Sequence, residues 1–295
     1  MAEQNKGMSD LWRRLRFVFM AIVIYRLGTH IPIPGIDPAR LAALFDQNQG
    51  TILEMFNLFS GGALERMSIF ALNVVPYISS AIIMQLFSNS IPYLQELKKD
   101  GQAGRNQITQ YTRYGTVLLA FVQASALAVT LGASGLAYEP GTSFFISAVF
   151  SVVAGTIFLM WLGEQISERG IGNGISIIIA TSILTGIPGA IGQALEQARQ
   201  GDLNILLLLG IGVLAMIVIA IVVFIERGQR RITVNYAQRQ QGRKLMQAQA
   251  SHLPFKVNMA GVIPAIFAST FLLFPASLST WFGQAESFGF LQTIS

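Results

Sequence analysis

Hydrophobic residues along this 295-residue chain are concentrated in seven long stretches, which are separated by polar segments. A helix needs about 20 mainly apolar residues to cross the hydrocarbon core of a bilayer. The sixth stretch is the most uniform, with no charged residue between Asp202 and Glu226. The pattern predicts an all-α, polytopic membrane protein with spans at residues 17–36, 72–92, 114–131, 144–162, 175–191, 205–225 and 262–282.

Three of the predicted spans contain or adjoin residues that are unfavourable in lipid: Arg26 in the first, Pro76 in the second and Pro188 in the fifth. The second span also carries Asn73 and Ser79. Polar groups at membrane depth are tolerated where they face protein or water. These spans are therefore expected to line a wet cavity. The alternative is that their polar side chains join neighbouring helices.

The stretch at residues 56–86 contains a glycine break followed by a short hydrophobic element. Gly61 and Gly62 interrupt the chain, and a short amphipathic piece at residues 63–70 follows before the second span. A hydrophobic element that is too short to cross the membrane can fold back into an outer cavity, where protein shields its backbone. The alternative is an ordinary outer loop that carries a surface helix.

The loop at residues 226–258 is long and basic. Ile232 and Val234 alternate with polar residues, which predicts a strand, and Gly242 marks a turn. A protruding basic hairpin suits a partner rich in phosphate, because contacts of Lys and Arg with phosphate do not depend on sequence. The alternative is a flank whose positive charge only sets membrane orientation.

The distribution of positive charge predicts that orientation. If the N-terminus is cytoplasmic, sixteen of the 20 lysines and arginines lie on inner segments, and only Arg26, Arg40, Arg66 and Arg199 do not. Such an excess on the cytoplasmic side is typical of membrane proteins. The net charge of +5 therefore needs no nucleic-acid partner to explain it. The first apolar stretch is interpreted as a retained span, with a signal peptide as the alternative.

The composition argues against an enzyme. The chain is 52% hydrophobic and 12% charged, has no cysteine, and has only two histidines, His30 and His252. The string GASG at residues 132–135 resembles a serine-protease motif, but the predicted topology places Ser134 and His252 on opposite sides of the membrane. We expect no catalytic residue, no metal and no cofactor. A secondary transporter is the alternative function, and it requires acidic groups at the membrane midplane.

Six strings, in order along nearly the whole chain, resemble the SecY family, the central subunits of the bacterial protein translocon. They are IPIPGI at 31–36, GTILEMFNLFSGGALERMSIFAL at 50–72, PYISSAIIMQL at 76–86, FLMWLGEQISERGIGNGISIII at 158–179, ERGQRRITVNYAQRQQGRK at 226–244 and HLPFKVNMAGVIPAIFAS at 252–269.

The resemblance implies an inverted-repeat channel of ten spans around a central pore, of which this chain matches the first five-helix half and two spans of the second. Residues 1–200 would form the N-terminal half, with a plug at about 59–70. Residues 201–295 would begin the C-terminal half, with spans six and seven and the basic loop at about 226–258. The family's last three spans are absent from the sequence.

The resemblance also implies roles for individual residues. These are a pore ring of Val74, Ile78, Ile179 and Ile266; a plug that includes Phe59, Gly61, Gly62, Leu64 and Phe70; a lateral gate with Ser79 and Phe274; and a docking surface for ribosome and motor at Arg230, Arg231, Arg239, Arg243 and Lys244.

The partners implied by the resemblance are the SecE and SecG subunits, the motor ATPase SecA, ribosomal RNA and protein at the exit site, signal sequences, nascent chains and the lipid bilayer. The implied function is a protein-conducting channel for secretion and membrane insertion in the bacterial cytoplasmic (inner) membrane.

Overall fold

The computed structural model describes residues 2–37, 40–41, 60–133, 135–139, 141–200, 205–234, 240–241, 244–245 and 251–258. These residues are mainly helical, as predicted. The helices are α1 (Ala2–Gly28), α2 (Val75–Ser90), α3 (Pro92–Lys99), α4 (Gln102–Ala133), α5 (Thr142–Arg169), α6 (Gly174–Gln200) and α7 (Ile205–Arg227). The strands are β1 (Gln229–Val234), β2 (Gln240–Gln241), β3 (Lys244–Leu245) and β4 (Ser251–Lys256).

Four helices in the described part of the chain are long and apolar enough to cross a membrane. They are α4 to α7, and they coincide with the third to sixth predicted spans. Helix α2, with 16 residues, is shorter than a usual span. The seventh predicted span, 262–282, lies outside the described residues.

The predicted boundaries of the first two spans are wrong at three points. Helix α1 ends at Gly28, and residues 29–37 form turns and isolated bridges instead of continuing to residue 36. Helix α2 begins at Val75 and ends at Ser90. Pro76 lies in its first turn, where the missing N–H is not needed. At its other end Ile91 is extended because it precedes Pro92.

The helices of the first half pack through small side chains. Helix α4 lies against both α2 and α5, and α1 lies against α5. Ala120, Ala124 and Ala128 of α4 are buried against Ala148 and Val152 of α5. Small residues at such interfaces let helix backbones approach closely. The resulting core is the first of two apolar clusters in this part of the chain, and the second surrounds Tyr25.

A bidentate ion pair joins α4 to α5. Arg113 donates from Nε and Nη2 to the two carboxylate oxygens of Glu164, each at 2.8 Å. The Arg113 side chain is 46% exposed and that of Glu164 19% exposed. Solvent screening at this exposure limits the stabilisation to about 1 kcal/mol.

Replacement of Glu164 by glutamine is therefore expected to lower the free energy of unfolding by about 1 kcal/mol. A double-mutant cycle with Arg113→Gln in mixed-micelle unfolding measures the coupling between the two side chains. Glu168→Gln, an exposed position on the same helix, is the matched control and is expected to have little effect. A coupling energy of zero would contradict the assignment of the pair as a stabilising contact.

The chain divides into two compact units, one reaching Ile191 and the other beginning at Gly192. In the second unit, β1 pairs antiparallel with β4, with Arg230 opposite Phe255 and Ile232 opposite Leu253. Strands β2 and β3 also pair antiparallel, with Gln240 opposite Leu245 and Gln241 opposite Lys244. The strand predicted from the alternation at Ile232 and Val234 is confirmed, and it belongs to a hairpin.

Candidate functional site

Residues 60–74, which we call segment 60–74, are buried among the helices. The segment forms successive turns, and the surface helix that was the alternative at residues 63–70 is not formed. Its packing is that of a segment folded into a bundle, with little side-chain exposure at Ser60, Ala63, Leu64, Met67, Ser68, Phe70, Ala71, Asn73 and Val74.

The residues that follow α1 hold the middle of segment 60–74 by backbone hydrogen bonds. Ile33 donates its N–H to the Met67 carbonyl at 2.8 Å, and Ile69 donates to the Ile31 carbonyl at 3.0 Å. Arg66 adds a hydrogen bond to Nε2 of His30 at 2.8 Å. Residues 31–33, which were expected to continue the first span, therefore pair with the segment, whereas residues 35–37 pair with residues 136–138.

The backbone of segment 60–74 contains several left-handed residues. Gly61 and Gly62 have φ of 67° and 79°, and two non-glycine residues, Met67 and Asn73, have φ of 40° and 49°. A Cβ on Gly61 would lie 3.0 Å from the Ser182 backbone, so the position also needs glycine for space. Left-handed conformation costs a non-glycine residue about 1–2 kcal/mol. Such residues persist where the surrounding structure determines the conformation.

Aromatic rings from two helices enclose Phe70 of the segment. The Tyr25 ring on α1 stacks on one side with a centroid distance of 6.0 Å, and the Phe158 ring on α5 stacks on the other at 5.9 Å. The Trp161 ring, with its centroid 5.8 Å from that of Phe158, continues the row of aromatic rings. Phe70 itself is only 2% exposed. The stack therefore fixes the segment between α1 and α5.

A buried polar network lies beside this stack. The Tyr25 hydroxyl is 2.5 Å from Oγ of Ser182 on α6, and it also donates to the Ser60 carbonyl at 3.3 Å. Asn73 Nδ2 donates to the same Ser182 Oγ at 3.0 Å. These groups satisfy one another within apolar surroundings, where an unpaired polar group would be costly.

Three of the four predicted pore-ring residues lie in one apolar cluster. Val74, Ile78 and Ile179 pack in the cluster that also contains Phe70 and Tyr25, and Val74 is 1% exposed. The fourth, Ile266, lies outside the described residues. The structure thus brings Ile78 of α2 and Ile179 of α6 together with Val74 at the end of segment 60–74. Their role as a ring stays a prediction.

The structure describes only some of the remaining predicted site residues. Ser79 is partly buried on α2, while its predicted gate partner Phe274 and the plug residue Phe59 lie outside the described residues. Arg230 and Arg231 are exposed on β1, and Lys244 lies on β3. Arg239 and Arg243, the other two docking candidates, fall outside the described residues.

Sequence reasoning did not single out Tyr25, Ser182, Phe158 or Gly155. Gly155 of α5 lies against the segment so closely that a Cβ would overlap the Ile69 carbonyl oxygen. The only available signal was that a tyrosine hydroxyl and a serine within apolar spans need polar partners. That signal does not identify the partners, which are distant in sequence.

The chain is similar to curated bacterial proteins. A family model described as SecY matches residues 68–294. Protein translocase subunit SecY of Pseudomonas aeruginosa is 64% identical over 294 residues, covering 100% of this chain and 66% of the relative. The subunit of the same name from Escherichia coli (strain K12) is 58% identical, covering 98% of this chain and 66% of the relative. The chain therefore spans slightly less than two thirds of their length.

Solved structures share the fold. A structure titled "The structure of a protein conducting channel" has a TM-score of 0.64 at 21% identity, over 91% of this chain and 59% of that one. Sec61 in the canine ribosome-channel complex has a TM-score of 0.62 at 20% identity, with the same coverage. A third, on the plug domain of the SecY protein, has a TM-score of 0.61 at 22% identity, over 91% and 58%. The family match and the close relatives together establish that this chain belongs to the SecY family.

Proposed function

We propose that this chain is the greater part of a protein-conducting channel subunit, which moves secretory proteins across the bacterial cytoplasmic membrane and inserts membrane proteins into it. The observation that carries the proposal is the burial of segment 60–74, whose last residue is Val74, in one apolar cluster with Ile78 and Ile179. A segment packed on an apolar ring is the arrangement that a closed, plugged pore requires. The similarity to proteins named translocase subunits supports it.

The channel itself breaks no bonds. An apolar ring excludes ions by dewetting when nothing fills it, and it can widen around a passing polypeptide. The part of segment 60–74 up to residue 70, including Gly61, Gly62, Leu64 and Phe70, acts as the plug. A similar protein carries a title stating that its plug domain stabilises the closed state and maintains a membrane seal. A signal sequence opens the gate because it binds the open state more tightly than the closed one.

We also propose the partners that the similarity to translocase subunits implies. SecE and SecG would complete the complex, SecA or the ribosome would supply the driving force, and nascent chains would leave sideways past Ser79 and Phe274. The exposed arginines of the β1–β4 hairpin suit a phosphate-rich surface. A similar channel is named in a complex with a ribosome. The two-half organisation, the cytoplasmic N-terminus and the inner-membrane location belong to this proposal.

No observation favours a secondary transporter. Coupling to an ion gradient needs acidic groups near the midplane of the spans. Within the described helices α4 to α7, the acidic residues lie toward helix ends, and Glu164 is paired with Arg113. The relatives are named as translocase subunits.

The test is a photo-crosslink from Ile78 to a secretory chain arrested in transit, in native membranes that contain the full-length subunit. A matched probe at Leu214, an exposed residue of α7, is the control. Adducts from Ile78 and none from Leu214 are the expected result. Adducts from Leu214 alone would overturn the pore assignment and leave a transporter or a scaffold.

A further inference from the structure

Tyr25 is the point at which two sets of contacts on segment 60–74 meet. Its ring lies parallel to Phe70, with an interplanar angle of 2°. Its hydroxyl contacts Ser60 at one end of the segment and Ser182 on α6. Tyr25 is 1% exposed, so none of these contacts has water as a ready substitute.

Ser182 connects the other end of the segment to the same point. Asn73 donates from Nδ2 to Ser182 Oγ, while its Oδ1 accepts the N–H of Val74 at 2.9 Å. Both Asn73 bonds hold a residue in the left-handed conformation at the start of α2. The first and the last turns of the segment are thus tied to one serine hydroxyl, directly through Asn73 and indirectly through Tyr25.

The hydrogen bonds of Tyr25, Ser182 and Asn73 depend on one another. Ser182 Oγ also lies 2.9 Å from the Ile178 carbonyl of its own helix, which can accept the single Ser182 hydroxyl hydrogen when Ser182 does not donate it to Tyr25. Tyr25, Ser182 and Asn73 are bonded to one another beside an apolar cluster, so loss of one bond weakens the rest. Because the segment is also strained at Met67 and Asn73, its packed conformation depends on these tertiary contacts.

We propose that Tyr25, Ser182 and Asn73 form a latch that holds segment 60–74 in place, with its Ser60 end tied to Tyr25 on α1 and its Asn73 end tied to Ser182 on α6, so that separation of α1 from α6 pulls the two ends apart and disrupts the packed conformation. Tyr25 is a positioning residue in this latch, since it acts on the pore through the segment. The consequence for transport rests on the proposed channel function, whereas the latch itself is a property of the packing. A passing polypeptide that widens the bundle would break the Tyr25–Ser182 contact and free the segment.

The experiment measures exposure of the segment directly. Ala63→Cys introduces a thiol at a position that is 0% exposed, in a part of the chain without cysteine, and any cysteine elsewhere in the complex is replaced by serine. A membrane-impermeant maleimide, applied from the outer face of proteoliposomes that contain the full-length complex, reports how often the segment opens. Tyr25→Phe removes the hydroxyl and keeps the ring stack. Ser182→Ala removes the shared oxygen.

Each variant is expected to raise the labelling rate about five- to tenfold, the effect of losing a buried hydrogen bond. The labelling rise in the double variant is expected to be smaller than the product of the two single rises, because both variants remove the Tyr25–Ser182 contact and each removes one further bond, to Ser60 or to Asn73. Ser80→Ala is the control, since it removes a comparable buried bond, from Ser80 Oγ to the Thr112 carbonyl at 2.7 Å, away from the segment. It is expected to leave labelling unchanged.

Unchanged labelling in both Tyr25→Phe and Ser182→Ala would overturn the latch, and so would an equal rise in Ser80→Ala. Additive effects in the double variant would show that the two hydroxyls act separately and would also overturn it. Ion conductance and transport of a secretory chain are measured on the same samples. Labelling that responds as expected, in vesicles that never conduct ions or protein, would contradict the channel function and leave the latch standing.

Discussion

Replacement of Gly155 by alanine is expected to displace segment 60–74 and to leave the proposed channel open at rest. A Cβ at this position of α5 would overlap the carbonyl oxygen of Ile69 and crowd the Phe70 ring. Overlap with backbone cannot be relieved by a change of rotamer, so either the helix or the segment must move. Overpacking of a well-packed core typically costs about 1–3 kcal/mol. The upper end of that range corresponds to about a hundredfold shift in the packed-to-open ratio.

The measurement is the resting ion conductance of proteoliposomes, together with maleimide labelling of Ala63→Cys. Gly132→Ala is the matched control, because Gly132 is also a helical glycine and a Cβ there would meet nothing within 4 Å. It is expected to keep the wild-type seal. A Gly155→Ala variant that labels and conducts like the control would show that the close approach between α5 and the segment does not hold the plug.

The helices that the sequence predicts best are those whose environment is uniform along their length. Helix α7 was predicted at 205–225 and ends at Arg227, because an uncharged run bounded by charges leaves little choice of boundary. The end of α1 was predicted eight residues too late. The string IPIPGI is apolar enough to extend a span, yet its residues pair with segment 60–74 and with residues 137–138 instead. Hydropathy measures how well a residue avoids water and cannot distinguish lipid from a neighbouring backbone.

Only part of the candidate site could be predicted from the sequence, because contacts between distant residues leave no local pattern. Gly61 and Gly62 indicated a break, and the left-handed φ values at both positions are what glycine permits. The Tyr25–Ser182 contact joins residues 157 positions apart, and no local period records such a pair. The roles of Val74, Ile78 and Ile179 came from family resemblance, and the structure adds that they pack in one cluster.

Replacement of Phe70 by alanine is expected to release segment 60–74 more completely than loss of either hydroxyl. Phe70 fills the space between Tyr25 and Phe158. Removal of a buried phenylalanine ring costs about 3–5 kcal/mol, and each lost aromatic pair contributes to that figure. The cost falls on a segment that already contains two left-handed non-glycine residues, Met67 and Asn73. Opening of the segment is the least costly way to relieve the cavity, because the surrounding helices retain their other contacts.

Three readouts separate this local release from general loosening of the fold. Labelling of Ala63→Cys is expected to rise in Phe70→Ala, while labelling of Ala124→Cys, buried in the other cluster, is expected to stay at the wild-type rate. Phe150→Ala makes the same substitution on the exposed face of α5, where no cavity forms, and is expected to alter neither rate. The resting ion conductance should rise only in Phe70→Ala. Equal labelling at Ala63→Cys and Ala124→Cys would mean that Phe70 stabilises the whole bundle, and the ring stack would then have no specific role in closing the pore.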